Sequence, residues 1–201
     1  DWPVPVPEAG EVLVNVGACG INNTDIWVRE GAYGSGGDPD AVASFGDPIT
    51  FPIIQGADIA GTIAAAGSRV SSDRIGERVM VDFGIYADDS DDVPSYDYIG
   101  SARPGGFAEY VAVPSVNAHA VETELSDAEL ATFCCAYVTG EHMLSRAGVR
   151  EGERVLVTGA SGGVGSGLIQ LCRARGAIPY ALVSAGKADA VAEIGAEAAI
   201  P

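Results

Sequence analysis

The sequence predicts an α/β chain: a β-rich first part, then the first half of a doubly wound parallel sheet. Three observations predict it. Residues 11–16 (Glu-Val-Leu-Val-Asn-Val) alternate polar and apolar, as a half-buried strand does. Past about residue 125 helical and strand patterns take turns. From Arg154 to Ser166, the apolar run Val155-Leu156-Val157 leads into glycines at 159, 162, 163 and 165, and then into a helical pattern through Leu168, Ile169, Leu171 and Cys172. A short run without polar alternation suits a parallel strand buried on both faces.

In chain order, residues 1 to about 10 are a proline-rich, extended lead-in. After the strand at 11–16, Gly17-Ala18-Cys19-Gly20 turns the chain. Thr24-Asp25 can cap a short helix over Ile26, Trp27 and Val28. Glycine, proline and aspartate dominate from Gly31 to Pro52, a long loop of the kind that often carries function. Ile53 to Ala66 reads as strand, as do Gly76 to Val81 and Gly106 to Val113. The acidic stretch within 84–105 (Asp88-Asp89-Ser90-Asp91-Asp92) reads as a solvated loop.

Ser126-x-x-Glu129 is a capping box, opening a helix that carries Leu130, Phe133, Cys134 and Tyr137 inward. A second helical stretch, Glu141 to Ala147, closes at Gly148. Beyond the glycine turn, strand (Ala177–Val183), helix (Lys187–Ile194) and strand (from Ala198) complete a βαβ pattern. The domains are therefore expected at 1–125 and 126–201. A complete dinucleotide fold needs about six strands, and about three are present.

The glycine turn is an anion site. A helix N-terminus presents unpaired N–H groups and a positive dipole end, and glycine lets the backbone come close to a pyrophosphate. Ala160, Ser161, Gly162, Gly163, Val164 and Gly165 carry the dinucleotide spacing, with alanine in the first place. The rival reading is an ordinary tight strand-to-helix turn.

Composition narrows the rest. Hydrophobic residues make up 47%, enough for a sizeable core. No run approaches the ~18 apolar residues of a membrane span, and no basic segment leads an apolar stretch at the start. The four cysteines (19, 134, 135 and 172) form no Cys-x-x-Cys pair, and a reducing cytoplasm fits them best. Twenty-eight acids against eleven bases give a net charge of −17, with Lys187 the one lysine. That balance argues against a nucleic-acid partner. It also suits a protein kept soluble in high salt, whose stability would rise with added salt.

Four motifs taken together resemble the medium-chain dehydrogenase/reductase superfamily, the alcohol dehydrogenase and quinone oxidoreductase relatives. They are Gly-Ala-Cys-Gly-Ile-Asn-Asn-Thr-Asp (17–25), Gly-Ala-Asp-Ile-Ala-Gly (56–61), Gly-Gly-Phe-Ala-Glu-Tyr (105–110) and Val-Thr-Gly-Ala-Ser-Gly-Gly-Val-Gly (157–165). The resemblance implies a GroES-like catalytic domain followed by a Rossmann domain. It also implies an initial strand before this start and a second Rossmann half after this end, so a fragment truncated at both ends is expected. Whole relatives are commonly dimers or tetramers, and a homo-oligomer is expected of the full-length protein.

Departures from the resemblance decide the chemistry. Zinc-dependent members carry a cysteine ligand where this chain has Asn22, and a histidine ligand where it has Ala57. A third ligand place falls on Cys134 or Cys135, but one thiolate does not hold a four-coordinate zinc. The structural-zinc cysteines are absent from 84–105 as well. No metal is expected, and a carbonyl must then be polarised by hydrogen bonds. Metal-free relatives share Asn-x-x-Asp, matching Asn22 and Asp25, and often place a tyrosine near the substrate oxygen, matching Tyr33. Asp25 serves equally well as a helix cap, and Tyr33 as surface packing. Thr139 resembles a position near the nicotinamide, or is an ordinary helix threonine bonded back to its own turn. His119, after a strand, and His142, in a helical run, read as structural or exposed.

An NAD-preferring site places an acid at the end of its second strand, about twenty residues past the glycines. This chain reads Leu182-Val183-Ser184-Ala185-Gly186-Lys187 there. Ser184 and Lys187 suit a 2′-phosphate, so NADP(H) is the expected cofactor, although Lys187 also reads as a solvated helix-start lysine. The expected activity is NADPH-dependent hydride transfer to a small enone, quinone or aldehyde. The alternatives are a zinc-type alcohol dehydrogenase relative and a non-catalytic nucleotide-binding protein.

Overall fold

A computed structural model of the chain describes residues 2–33, 49–86 and 96–200. The acidic run 88–92 and most of the loop expected between 31 and 52 lie outside the described residues. The chain divides into two compact units, Asp1–Cys134 and Cys135–Pro201.

The first unit holds β1 (Glu11–Gly20), α1 (Asn23–Arg29), β2 (Asp58–Ala66), β3 (Arg78–Val81), β4 (Gly84–Tyr86), β5 (Tyr96–Tyr98), β6 (Tyr110–Pro114), β7 (Ala118–Ala120) and α2 (Asp127–Leu130). Five strands form an antiparallel sheet in the order β6-β1-β2-β3-β7, and β4 pairs with β5. The alternation read in residues 11–16 is there: Val12 and Val14 are fully buried with Ile59, Ile63, Val79, Val111 and Val113. Two register shifts interrupt the β1–β2 ladder, one of them leaving Gly17 unpaired between Val16↔Gly61 and Ala18↔Ala60. Such a bulge bends its strand and re-aims the residues beyond it, here Cys19 and Gly20.

Two expected strands are shorter than their apolar runs. β2 starts at Asp58, not Ile53, and β6 at Tyr110, not Gly106. The missing ends face each other across loop bonds instead: Gly105 N–H donates to the Ile54 carbonyl at 2.7 Å, Gly106 to Gly56 at 2.8 Å and Phe107 to Gln55 at 2.9 Å. Gly56 has φ +101°, outside the strand region. A Cβ on Gly106 would stand 2.9 Å from Cys19 Sγ, so only glycine allows this approach.

The expected helix from Ser126 is two helices. Ser126 does cap α2, its Oγ accepting from the Glu129 N–H at 3.3 Å while the Glu129 carboxylate accepts from the Ser126 N–H at 2.7 Å. The Thr132 hydroxyl then takes the Glu129 carbonyl at 2.7 Å, and the Phe133 N–H turns to Leu130 at 3.1 Å. That tighter turn ends the helix. α2 packs on the first unit, Leu130 against Ala60, and Arg78 Nε donates to Asp127 Oδ1 at 2.7 Å. The first unit consequently runs past residue 125, where the composition changes.

The second unit holds α3 (from Cys134–Ala147), β8 (Arg154–Thr158), α4 (Gly163–Ala174), β9 (Ile178–Leu182), α5 (Ala188–Glu193) and β10 (Ala198–Ile200). Its three strands are parallel, in the order β10-β9-β8. Val157, Ile169, Ala181 and Val191 form the core between this sheet and its helices. Leu144 of α3 meets Cys172 of α4 in a second cluster. β8 is not buried on both faces as its apolar run suggests: Val157 is buried, but Leu156 is 58% exposed. α4 and α5 cover the face that Val157 shares, while Leu156 points to the other. Among the described residues no helix is long and apolar enough to cross a membrane.

Ile63→Ala or Ile169→Ala, each emptying a fully packed site, is expected to cost about 2–5 kcal/mol in urea unfolding. Val116→Ala, at a position 82% exposed, is expected to stay within about 0.5 kcal/mol of the unaltered chain.

Candidate active site

Asn22, Asp25 and Tyr33 belong to the first unit. Asn22, rather than Thr24 or Asp25, is the N-cap of α1, with extended backbone (φ −125°, ψ 165°). Asp25 sits one turn in, where its carboxylate accepts the Asn22 N–H at 2.8 Å. The capping role weighed for Asp25 is therefore filled, from the far side of the box. Gln55 Nε2 donates to the Asp25 carbonyl at 2.5 Å, tying the loop before β2 to the same turn. Asn22 Nδ2 donates to Asp58 Oδ2. Asp58 is almost wholly buried; it stands in the motif at 56–61, but the sequence gives neither it nor Gln55 a role in the site. The signal available was a carboxylate at the head of the apolar run Ile59-Ala60.

Two thiols share these surroundings. Burial first, and the Asp58 charge second, push Cys19 up to about 12. The same two causes push Cys134 up to about 12, and its Sγ donates to the Ile59 carbonyl at 3.6 Å. Both therefore stay protonated at neutral pH, whereas a metal binds the thiolate. With the Asn22 amide facing Asp58 and a methyl group at Ala57, this donor set does not fit a four-coordinate zinc. Among the described residues no three His, Cys, Asp or Glu side chains are grouped to hold a metal ion.

Tyr33 follows α1 in the sequence. It is 9% exposed, its ring edge-on to Trp27 at 5.8 Å and 72°. Surface packing is therefore not its setting. His119 lies within β7 and His142 within α3, and both are exposed.

The glycine turn belongs to the second unit and is built as its residues suggest. β8 ends at Thr158, and Gly159 takes φ +58°. Ala160 is fully buried in the core, which explains a methyl group in the first place of the motif. Gly162 caps α4 with no side-chain bond, and the first turn contains no acid. Ser161, Gly162 and Gly163 are exposed. A Cβ on Gly165 would stand 2.6 Å from Ala160 Cα, so glycine is needed for the helix to lie this close to the strand end. An exposed helix start with neither a side-chain cap nor a carboxylate fits a pyrophosphate.

At the end of β9, the Lys187 N–H donates to the Ser184 carbonyl at 2.9 Å. One turn thus brings Ser184 and Lys187 together, both exposed, with no carboxylate between them. α5 starts at Ala188, one residue later than expected. Thr139 is half-buried in α3, beside Gly140, whose lack of a side chain admits Leu171 of α4.

Residues 8–123 match the family model of the alcohol dehydrogenase GroES-like domain. Over 175 residues the chain is 33% identical to the quinone oxidoreductase of Lama guanicoe, covering 87% of this chain and 44% of that protein. Among solved structures, a Sinorhizobium meliloti protein provisionally assigned as an alcohol dehydrogenase matches at 60% identity and a TM-score of 0.92, over 100% of this chain and 56% of that one. An NAD-dependent alcohol dehydrogenase matches at 30% identity and a TM-score of 0.87, over 100% of this chain and 58% of that one. The chain spans less than half the length of the curated relatives it matches.

With folded values of about 12 against an ordinary 9.0, the Cys19 and Cys134 thiols favour folding up to about pH 9. Above that the unfolded chain loses protons the fold retains, so the contribution drains away as the pH climbs towards 12. The urea midpoint of the first unit is expected to fall across that window. Iodoacetamide is expected to leave both thiols unmodified at neutral pH until urea unfolds the chain.

Proposed function

Because the chain belongs to the alcohol dehydrogenase GroES-like family, among the quinone oxidoreductase-like medium-chain dehydrogenase/reductases, we propose that the whole protein transfers hydride from NADPH to a small enone, quinone or aldehyde without zinc. The observation that carries this reading is the exposed, acid-free start of α4. In the proposal the backbone N–H groups of Gly163, Val164 and Gly165 hold the pyrophosphate. Ala160, Ser161 and Gly162 shape the approach, and Thr139 lies near the nicotinamide.

When bound, the nicotinamide supplies the hydride. The chain's own part is to polarise the acceptor. Asn22 presents a neutral amide N–H to the acceptor oxygen, and a preorganised donor of this kind acts without the charge of a metal. Asp25 holds the Asn22 backbone, and Tyr33 places a phenol beside the substrate. Hydride adds to carbon, and the acceptor oxygen completes the reduction by taking a proton from water.

Preference for NADP(H) over NAD(H) rests on the turn after β9. A carboxylate there would repel a 2′-phosphate; Ser184 and Lys187 offer a hydroxyl and a cation instead. The NAD dependence of one structural neighbour makes NAD(H) the rival cofactor. Homodimeric assembly of the whole protein belongs to the same proposal.

The test is NADPH oxidation by the full-length protein against a panel of quinones and enones, with metal analysis alongside. Turnover without stoichiometric zinc is expected. Coenzyme binding without turnover would instead favour a non-catalytic nucleotide-binding protein, and bound zinc needed for turnover would favour an alcohol dehydrogenase of the zinc type. Lys187→Ala is expected to weaken NADPH about tenfold or more, the loss of one charge-assisted contact, and to leave NADH unchanged in the same titration.

A further inference from the structure

The proposed chemistry makes no use of Asp58, although it is the most deeply buried carboxylate among the described residues, 1% exposed. It heads β2, where its backbone pairs with Gly20 at the end of β1. A Cβ on Gly20 would stand 2.9 Å from Asp58 Cβ, so the glycine makes room for this side chain. Its Oδ2 accepts a hydrogen bond from Asn22 Nδ2, across 36 residues of sequence.

A carboxamide has two unlike ends. Its oxygen accepts and its nitrogen donates, and a half-turn about the last side-chain torsion exchanges them. A carboxylate only accepts. Facing Asp58, Asn22 therefore turns its NH2 inward, and the flipped amide would set oxygen against oxygen. The Asn22 backbone is fixed separately, by the Asp25 carboxylate at 2.8 Å. Main chain and side chain are thus held by two different acids. One Nδ2–H is engaged by Asp58; in the proposal the second meets an acceptor atom on a ligand.

We propose that Asp58 is the positioning residue of this site, setting the orientation of the Asn22 carboxamide so that an N–H, and not the amide oxygen, meets the ligand's oxygen. This rests on the reading of Asn22 as the ligand-facing group. Without Asp58 the amide keeps only its capping-box contact, the side chain accepting from the Asp25 N–H, and its NH2 end loses its anchor. Hydride transfer should then suffer, while coenzyme affinity, set in the other unit, should not.

The test compares Asp58→Asn, Asn22→Ala and the double variant in the full-length protein, with kcat, KM and the Kd for NADPH measured for each. Asp58→Asn is expected to lower kcat about tenfold, the scale of a modest misplacement, with the Kd for NADPH unchanged. Because Asp58 acts through Asn22, the double variant is expected to match Asn22→Ala within about twofold. Losses that multiply, or an Asp58→Asn variant as active as the wild type, overturn the proposal.

A second measurement needs neither turnover nor a folded variant at position 58. In nitrogen-15 spectra of the wild type, the Asn22 side-chain NH2, assigned by its disappearance in Asn22→Ala, is expected to exchange with solvent more slowly than an exposed asparagine. Exchange at the exposed rate overturns the proposal. An inactive wild type with a protected signal sinks the proposed reaction but upholds the positioning contact.

Discussion

The register of β1 against β2 is the constraint on which the first unit depends. Side chains alternate along a strand, so a slip of one residue sends every one of them to the opposite face. The ladder stays in step from Val14↔Ile63 to Val16↔Gly61, then skips Gly17 before resuming at Ala18↔Ala60. Because of that skip, Gly20 lies opposite Asp58 and Cys19 points into the core beside Gly106. The bulge also leaves room for α2, since a Cβ on Gly17 would run into the Asp127 side chain. One unpaired residue thus fixes the hydrophobic packing and the polar cluster together.

The polar groups of the two units solve opposite problems. In the first, a buried carboxylate stands in a medium that penalises charge, and hydrogen bonds such as the one from Asn22 offset that cost. Neighbouring thiols respond by holding their protons. In the second unit the glycine turn at the start of α4 uses no charged side chain. Its attraction for an anion comes from backbone N–H groups and the helix dipole, with glycine keeping the approach clear.

What the sequence made legible was whatever is decided locally. The turn at 159–165, the capping box at Ser126 and the alternation of Val12 and Val14 each depend on neighbours within a few residues, and each stands in the structure. The strand starts at 53 and 106 were misplaced because Ile54–Gly56 and Gly105–Phe107 are loops bonded to each other, a long-range pairing that periodicity does not report. Asn22 and Asp58 each stand in a motif, but their pairing is not legible in the sequence, since 36 residues separate them and nothing local links the two. Asp25 was weighed as both cap and catalytic group, and its bond to the Asn22 N–H accounts for the first role.

Lys187 has a practical side. It is the one lysine in these 201 residues, and it lies exposed at the turn after β9. An amine-directed acylating dye would have a single internal side chain to attack here, so a fluorophore or cross-linker could be placed at one known point without engineering a cysteine. The two most deeply shielded thiols, Cys134 and Cys172, would not compete for it.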